Sequence, residues 1–375
     1  MKPLLLLTTI LISVSSIHAT GPEDRDCGSD LSNLWLDVVL VVDNSMNMGR
    51  VNLQLAFASI VELLGEKTRI GTNYDDPRST RVALITYNQD ATVAADLDKL
   101  QSFEDLIDTA QASLITANTN LTFVEKGLSA AEQVLSSGRS NGYRNNYKQM
   151  VILYGTKNQD DGDSNPYEVA NRMKNNGVKI AAVSMDGSSA FYGLANDQMF
   201  HVYDGSATDY LSINAFMTNC YCRDTWVNFY PRWYYYSAGV CAKAFTKKTT
   251  WQIAKLSCQD YMANSYLATD FNQAKHDFLQ DLFRNYTELA AGYHNGLSYV
   301  NGNWYWQQPV DQPLISLGSQ TTFWNAGYPK SLTSNTGVAT VTDASQIGWE
   351  NINAHSVPLY YICEMDACDT ENYCP

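Results

Sequence analysis

Unbroken apolar runs alternate with amphipathic segments along the first two hundred residues. Residues 37–43 read DVVLVVD, 80–87 TRVALITY, 149–154 QMVILY and 179–185 KIAAVSM. Runs of this length without polar alternation are strands covered on both faces. Between them, 50–64, 103–114 and 169–177 repeat apolar residues at helical spacing. Strands alternating with helices predict an α/β doubly wound, Rossmann-type sheet, mostly parallel, with helices on both faces. Ligands in such sheets sit at the carboxyl ends of the strands, which points to residues 43–47.

The pattern changes after Cys220. From there the chain is rich in aromatics and turns, with most of its tryptophans between Trp226 and Trp349. Only 251–261 and 271–283 keep a helical period, the second bringing Phe271, Phe278, Leu282 and Phe283 toward one face. The change marks a domain boundary with almost no linker and divides the chain into 31–219, 220–366 and a short tail, 367–375.

Residues 1–19 carry Lys2, the apolar run LLLLTTILISV and small residues up to Ala19. This is the layout of a secretory signal peptide, and the run is well short of the ~20 residues that cross a bilayer. A secreted, soluble mature protein without membrane insertion is expected. The formal net charge is −14, and loss of the leader removes one lysine and no acid. Such a surface repels phosphate backbones, so nucleic acid is a poor partner. Eight cysteines follow the leader, an even number that predicts four disulfides in an oxidising compartment. Asn120-Leu-Thr122 and Asn285-Tyr-Thr287 are glycosylation sequons.

Asp43-Asn-Ser45-Met-Asn47 resembles the DxSxS loop that opens the metal-ion-dependent adhesion site of von Willebrand factor A domains. The resemblance continues through Asn118-Thr-Asn-Leu-Thr122 with Gly127-Leu128, similar to the second metal loop, and through residues 168–183. It implies a cation held by oxygens of Asp43, Ser45 and Thr122, with an acidic partner residue completing the coordination. Asn47 stands where the family has serine. Gly155-Thr156 stands where it has Thr-Asp-Gly, so a carboxylate is missing, expected at Gly155, and Asp43 is left as the one charged ligand. A weak or absent divalent cation is expected, because ligand charge count tunes hard-cation sites. The competing reading is that Asp43 and Ser45 bond to loop backbone and cap the next helix. Cys27 and Cys220 flank this domain and are paired as a clasp; Cys222 lies only two residues away. A glycan on Asn120 would crowd the second loop.

In the second half, Cys222-x-x-x-Trp226, Cys241, Trp251-x-x-Ala254-x-x-x-Cys258, Leu267-Ala-Thr269, Trp304-x-Trp306, Trp324-x-x-Gly327-x-Pro329, Gly348-Trp349 and Tyr361-Ile-Cys363-Glu364 follow one another. Together they resemble a long-form C-type lectin-like domain, an α+β fold. The resemblance implies disulfides Cys222–Cys241 and Cys258–Cys363; Cys368–Cys374 would staple the tail. Two departures bear on calcium. Tyr328-Pro329-Lys330 replaces Glu-Pro-Asn, and Trp349-Glu350-Asn351 replaces Trp-Asn-Asp. Lys330 is expected to put an ammonium into the cation's cage, leaving the site without calcium. The family's second internal disulfide has no cysteines here, so the long loop is expected to rest on packing alone. Sugars can bind without calcium by stacking on aromatics. Tyr293, Trp304, Tyr305, Trp306, Trp324 and Tyr328 are the candidates, Tyr328 the best exposed, with Lys330, Glu350 and Asn351 beside it; core packing is the alternative for the tryptophans.

His201, His276, His294 and His355 are scattered and join no catalytic motif. The expectation is a non-enzymatic extracellular recognition protein that needs no cofactor and binds glycan or protein ligands. Resemblance to secreted nematode proteins with these two domains adds a link to innate defence. The other possibility is a structural or adhesive matrix protein docking through its A-like half. Ligand identity and oligomeric state are written in no motif.

Overall fold

The computed structural model describes residues 23–72, 75–139, 144–159, 165–203, 208–231, 237–286, 292–331, 336–343 and 346–375. The leader expected at 1–19 lies outside the described residues. Among them, no helix is long and apolar enough to cross a membrane.

The first domain runs β1 (Leu36–Asp43), α1 (Gly49–Leu64), β2 (Arg81–Tyr87), β3 (Ala91–Ala95), α2 (Phe103–Ser113), α3 (Val124–Ser137), β4 (Lys148–Gly155), α4 (Pro166–Asn175), β5 (Lys179–Ser184), β6 (His201–Val202) and α5 (Thr208–Asn219). Its sheet has the order β3-β2-β1-β4-β5-β6. Every pairing is parallel except β2 with the edge strand β3. Every residue of β1 is buried, as its unbroken apolar run requires of a central strand. Helix α3 approaches this strand closely at Gly127, where a Cβ would stand 2.8 Å from Val41 Cγ1 and 3.0 Å from the Tyr87 ring. At the amino end of β1, buried Asp37 accepts from Arg81 at 2.7 Å and from Arg144 at 2.9 Å.

The second domain runs β7 (Val227–Asn228), β8 (Val240–Thr249), α6 (Trp251–Tyr261), β9 (Tyr266–Leu267), α7 (Gln273–Tyr286), β10 (Tyr293–Val300), β11 (Asn303–Trp306), β12 (Ile315–Ser316), β13 (Thr336–Asp343), β14 (Gln346–Asn353) and β15 (Leu359–Asp366). The sheet path is β12-β11-β10-β15-β8-β7, with the β13–β14 hairpin branching from β10. Cys258 on α6 is bonded to Cys363 on β15, tying helix to sheet. Closing a loop of that size removes roughly 4–5 kcal/mol of unfolded-state entropy in the chain-entropy model. The other bonds are Cys27–Cys220, Cys222–Cys241 and Cys368–Cys374.

The chain ends cross over between domains. Asp24 meets Lys275 of α7 at 2.5 Å, and Lys275 meets Glu364 of β15 at 3.2 Å, all three side chains buried. Asp26 bridges to Ala238 in the second domain. The tail returns to the first domain: Trp35 Nε1 donates to the Asp369 carbonyl at 2.9 Å, and Asn146 donates to that of Cys374, also at 2.9 Å. Trp35, Tyr147, Tyr221 and Tyr373 pack edge to face or tilted between the halves. The boundary at Cys220 is therefore a fastened seam.

Candidate functional site

Three loops meet at the carboxyl ends of β1 and β4. Met46 N donates to the Thr119 carbonyl at 2.7 Å, Ala117 N to Asn44 O at 2.7 Å and Gln159 N to Thr122 O at 3.0 Å. Asp43 Oδ1 accepts from Ser45 N at 2.8 Å. Asp43, Ser45, Thr122 and Thr156 are buried. Asp43 Oδ2, Ser45 Oγ, Thr122 Oγ1 and Thr156 Oγ1 make no hydrogen bond of ordinary geometry. Burial pushes the Asp43 carboxyl up, and contacts with Ser45 and then Thr156 only partly pull it back. Asp43 in turn adds to the burial that raises Tyr87 far above its ordinary value.

This arrangement corrects one expectation and divides another. The residue that β4 delivers to Asp43 is Thr156. Gly155 sits below it, where a Cβ would meet the Tyr87 hydroxyl at 2.5 Å. A hydroxyl thus replaces the expected carboxylate, one position later than expected. Asp43 does bond to its own loop, but α1 begins after Met48 with no side-chain cap, so neither Asp43 nor Ser45 caps the helix. Asn47 is half-buried and its amide donates to the Asn120 carbonyl at 2.5 Å. Asn120 itself is exposed. The donor set is all oxygen, as magnesium or calcium demands, and its unpaired buried atoms are what a cation would satisfy. One carboxylate among three hydroxyls fits such an ion in kind and gives it little charge.

The second loop cluster lies beside β14. Trp324 bridges to Trp349, Asn325 N donates to the Trp349 carbonyl at 3.0 Å, and Trp349 N donates to that of Phe323 at 2.6 Å. Asn325 Nδ2 donates to Glu350 at 3.0 Å. Asn351 Oδ1 accepts from Lys330 N at 2.7 Å while its Nδ2 donates to Lys330 O at 2.7 Å. The long loop is therefore held by hydrogen bonds as well as packing, which corrects the expectation of packing alone. The Lys330 ammonium stands 4.0 Å over the Tyr328 ring. It is drawn to the ring face rather than into a cation cage, a second correction.

The aromatic candidates separate. Trp306, Trp349 and Tyr293 are fully buried, so Trp306 and Tyr293 are withdrawn as stacking surfaces. Trp304, Tyr305, Trp324 and Tyr328 are half-buried, Trp304 packing on Trp324 at 5.0 Å. Tyr328 is less open than expected, since Lys330 covers one face. Asn285 is exposed, and Thr287 of its sequon lies outside the described residues.

His201, His276 and His294 are buried, and His355 is exposed. Burial holds His294 down to about 4. His276 is raised, because Asp270 at 2.7 Å outweighs its burial. Two features had no local signal in the sequence: the Asp24–Lys275–Glu364 set and the aromatic seam. Thr156, the first residue beyond β4, lay next to the position that the motif comparison singled out.

Family comparison agrees with this architecture. The von Willebrand factor type A domain matches residues 37–208 and the lectin C-type domain residues 247–365. C-type lectin domain-containing protein 160 of Caenorhabditis elegans is 21% identical over 373 residues, covering 93% of this chain and 56% of that protein. The chain thus spans little more than half the length of this relative. Among solved structures, proximal thread matrix protein 1 of the mussel byssus is 18% identical over 50% of this chain and 47% of its own, with a TM-score of 0.40. The C-type lectin CEL-I of Cucumaria echinata is 19% identical over 38% of this chain and 96% of its own, with a TM-score of 0.31. The chain joins a von Willebrand factor type A domain to a C-type lectin domain, in that order.

Proposed function

We propose that this is a secreted recognition protein that binds a glycan or protein ligand through its lectin domain, without calcium and without catalysis. The observation that carries the reading is the reciprocal pairing of Asn351 with the Lys330 backbone. Calcium gathers about 6–8 oxygens. Here Asn351 Oδ1, the Lys330 carbonyl and Glu350 Oε1 each already accept a hydrogen bond. What remains for a ligand is the half-buried rim of Tyr328, Trp324 and Trp304, with Lys330 beside it. A sugar ring fits such a rim by stacking, with polar neighbours reading its hydroxyls. In the A domain, Asp43, Ser45, Thr122 and Thr156 would hold a divalent cation weakly, and the ion would offer one coordination position to an acidic partner. A role in innate defence belongs to the same proposal and follows from the domain pairing.

A glycan array probed with the full mature chain, with and without EDTA, tests the proposal. Chelator-independent signals that fall in Tyr328→Ala support it. Binding lost in EDTA and restored by Ca²⁺ overturns it. Capture of matrix proteins through the A domain, with a blank array, would favour an adhesive role instead.

A further inference from the structure

The seam between the domains borders an open cleft of about 650 Å³, within the usual size of small-ligand sites. It shares no residue with either loop cluster, and it lies at the amino ends of β4 and β5, opposite the end where the A-domain loops meet. Lys148 opens β4 and Lys179 opens β5. Lys179 pairs with Met150 in the parallel ladder, and side chains two apart on a strand share a face, so both lysines rise from one side of the sheet. The Lys148 ammonium stands 4.0 Å over the Tyr221 ring, and that of Lys179 stands 6.0 Å from the Phe200 ring. Neither forms a close ion pair with another described residue, Asp224 attracting Lys148 only at longer range, in a chain of net charge −14.

Lys148 carries its charge half-buried and beside other cations. Burial pulls Lys148 down, and Arg139 and Lys179 pull it further, against the attraction of Asp224. An anion placed between Lys148 and Lys179 would relieve that repulsion. The walls suit more than a bare ion. Tyr221 is fixed by paired backbone hydrogen bonds with Cys368 of 3.0 and 2.9 Å and by its hydroxyl on the Asn146 carbonyl at 2.6 Å. Tyr230 lines the cleft from the lectin side, and Asp197, whose Oδ1 accepts from Met199 N at 2.9 Å, brings an acceptor. Two cations, ring faces and a carboxylate acceptor together match a ring bearing one anionic group and several hydroxyls.

We infer that this cleft binds a small acidic sugar, its carboxylate or sulfate bridging Lys148 and Lys179, its ring against Tyr230, and its hydroxyls donating toward Asp197. The site does not depend on the reading of the lectin loops and would stand if calcium bound there.

Titration of the full mature chain by calorimetry or ligand-observed NMR would use four probes: glucuronate, N-acetylglucosamine 6-sulfate, N-acetylglucosamine and inorganic sulfate. Saturable binding of at least one acidic sugar, absent for the neutral one, is expected, with at least a tenfold loss in Lys148→Gln and in Lys179→Gln. Amine acylation of the unmutated protein read by mass spectrometry serves if a variant fails to fold. The bound acid should protect Lys148 and Lys179 and leave Lys243 and Lys247 reactive. No saturable acid binding at 10 mM, undiminished binding in both variants, or equal labelling with and without ligand would overturn the site. Inorganic sulfate binding as tightly as the sugars would overturn the ligand class.

Discussion

Set against the cation sites they resemble, the two loop clusters differ in opposite ways. In the A domain the oxygens remain while charge is low: Thr156 stands where a carboxylate is expected, and four buried oxygens make no hydrogen bond of ordinary geometry. In the lectin domain the oxygens have been paired off, Asn351 with the Lys330 backbone and Glu350 with Asn325. Deleting one ligand from a buried cage leaves desolvated polar atoms whose cost remains in the fold. Rewriting the loop so that its polar atoms satisfy each other removes that cost and with it the appetite for an ion. On the proposed reading the first site is impaired and recoverable, and the second is an ordinary loop.

The largest expected effect separates these states directly. Thr156→Asp restores a second carboxylate beside Asp43 and should destabilise the A domain in EDTA, where two buried carboxylates repel. With millimolar Mg²⁺ the same variant should gain about 2.7 kcal/mol at a hundredfold excess over Kd. For a domain of this size that is roughly 5–10 °C in Tm, against a small shift for the unmutated chain. The parallel change in the lectin loop, Tyr328→Glu with Lys330→Asn, should give no comparable Ca²⁺ response. Melts in which both variants respond alike would erase the distinction.

A pH series sharpens the A-domain half. Burial raises Asp43 above its unfolded value, so the native state holds that proton more tightly than the unfolded chain. The stability tied to this group is then greatest below the unfolded pKa and declines as pH climbs to the folded one. Asp43→Asn should lack that decline in EDTA, and Mg²⁺ should reduce it in the unmutated protein by favouring the ionised form. Superimposable profiles of variant and parent would count against an orphaned carboxylate.

How much of this was legible from residues alone divides along the same line. The strands β1, β2, β4 and β5 and the helices α1, α2 and α4 were readable because an unbroken apolar run or a 3.6-residue stripe is a local signal. The edge strand β3 is largely solvent-facing and so carries no such run. Helix α3 was hidden in a segment read as a metal loop, although Gly127 is there for close contact with β1 and β2. Motif comparison pointed to both loop clusters. It placed the third-loop position one residue early and could not say that the Lys330 side chain would fold back on Tyr328, since a pattern of residues carries no rotamers. The seam was illegible for another reason: Trp35 and Tyr373 meet across nearly the whole chain, and no window spans them.

Paired single deletions test the comparison at moderate size. Asn351→Ala removes two hydrogen bonds that hold the Lys330 backbone, at a net ~0.5–1.5 kcal/mol each, so a loss of about 1–3 kcal/mol is expected. Ser45→Ala removes a buried hydroxyl that makes no hydrogen bond of ordinary geometry and touches only weakly on the Asp43 carboxyl, so it should be close to neutral in EDTA. Chemical denaturation of the two variants reads the difference. Equal losses would mean that Ser45 Oγ has a partner after all, most simply bound water.

The smallest effect concerns Tyr328 and Lys330, where the ring face is shared between an ammonium and any ligand. The ammonium sits 4.0 Å from the ring centroid, a contact worth about 0.5–1 kcal/mol at an exposed site. Tyr328→Ala should therefore cost little stability, while removing the surface on which a sugar would stack. Lys330→Ala is the more informative change. A neutral ligand that stacks on Tyr328 must first displace the ammonium, and removing it should tighten binding by the same 0.5–1 kcal/mol, roughly two- to fivefold. Tyr328→Phe keeps the ring and should bind as the parent does. Affinities of one array-selected neutral glycan for the three variants, measured without calcium, decide the matter. Weaker binding in Lys330→Ala would show that the ammonium itself reads the ligand, and the loop would then be a charged surface rather than an aromatic platform.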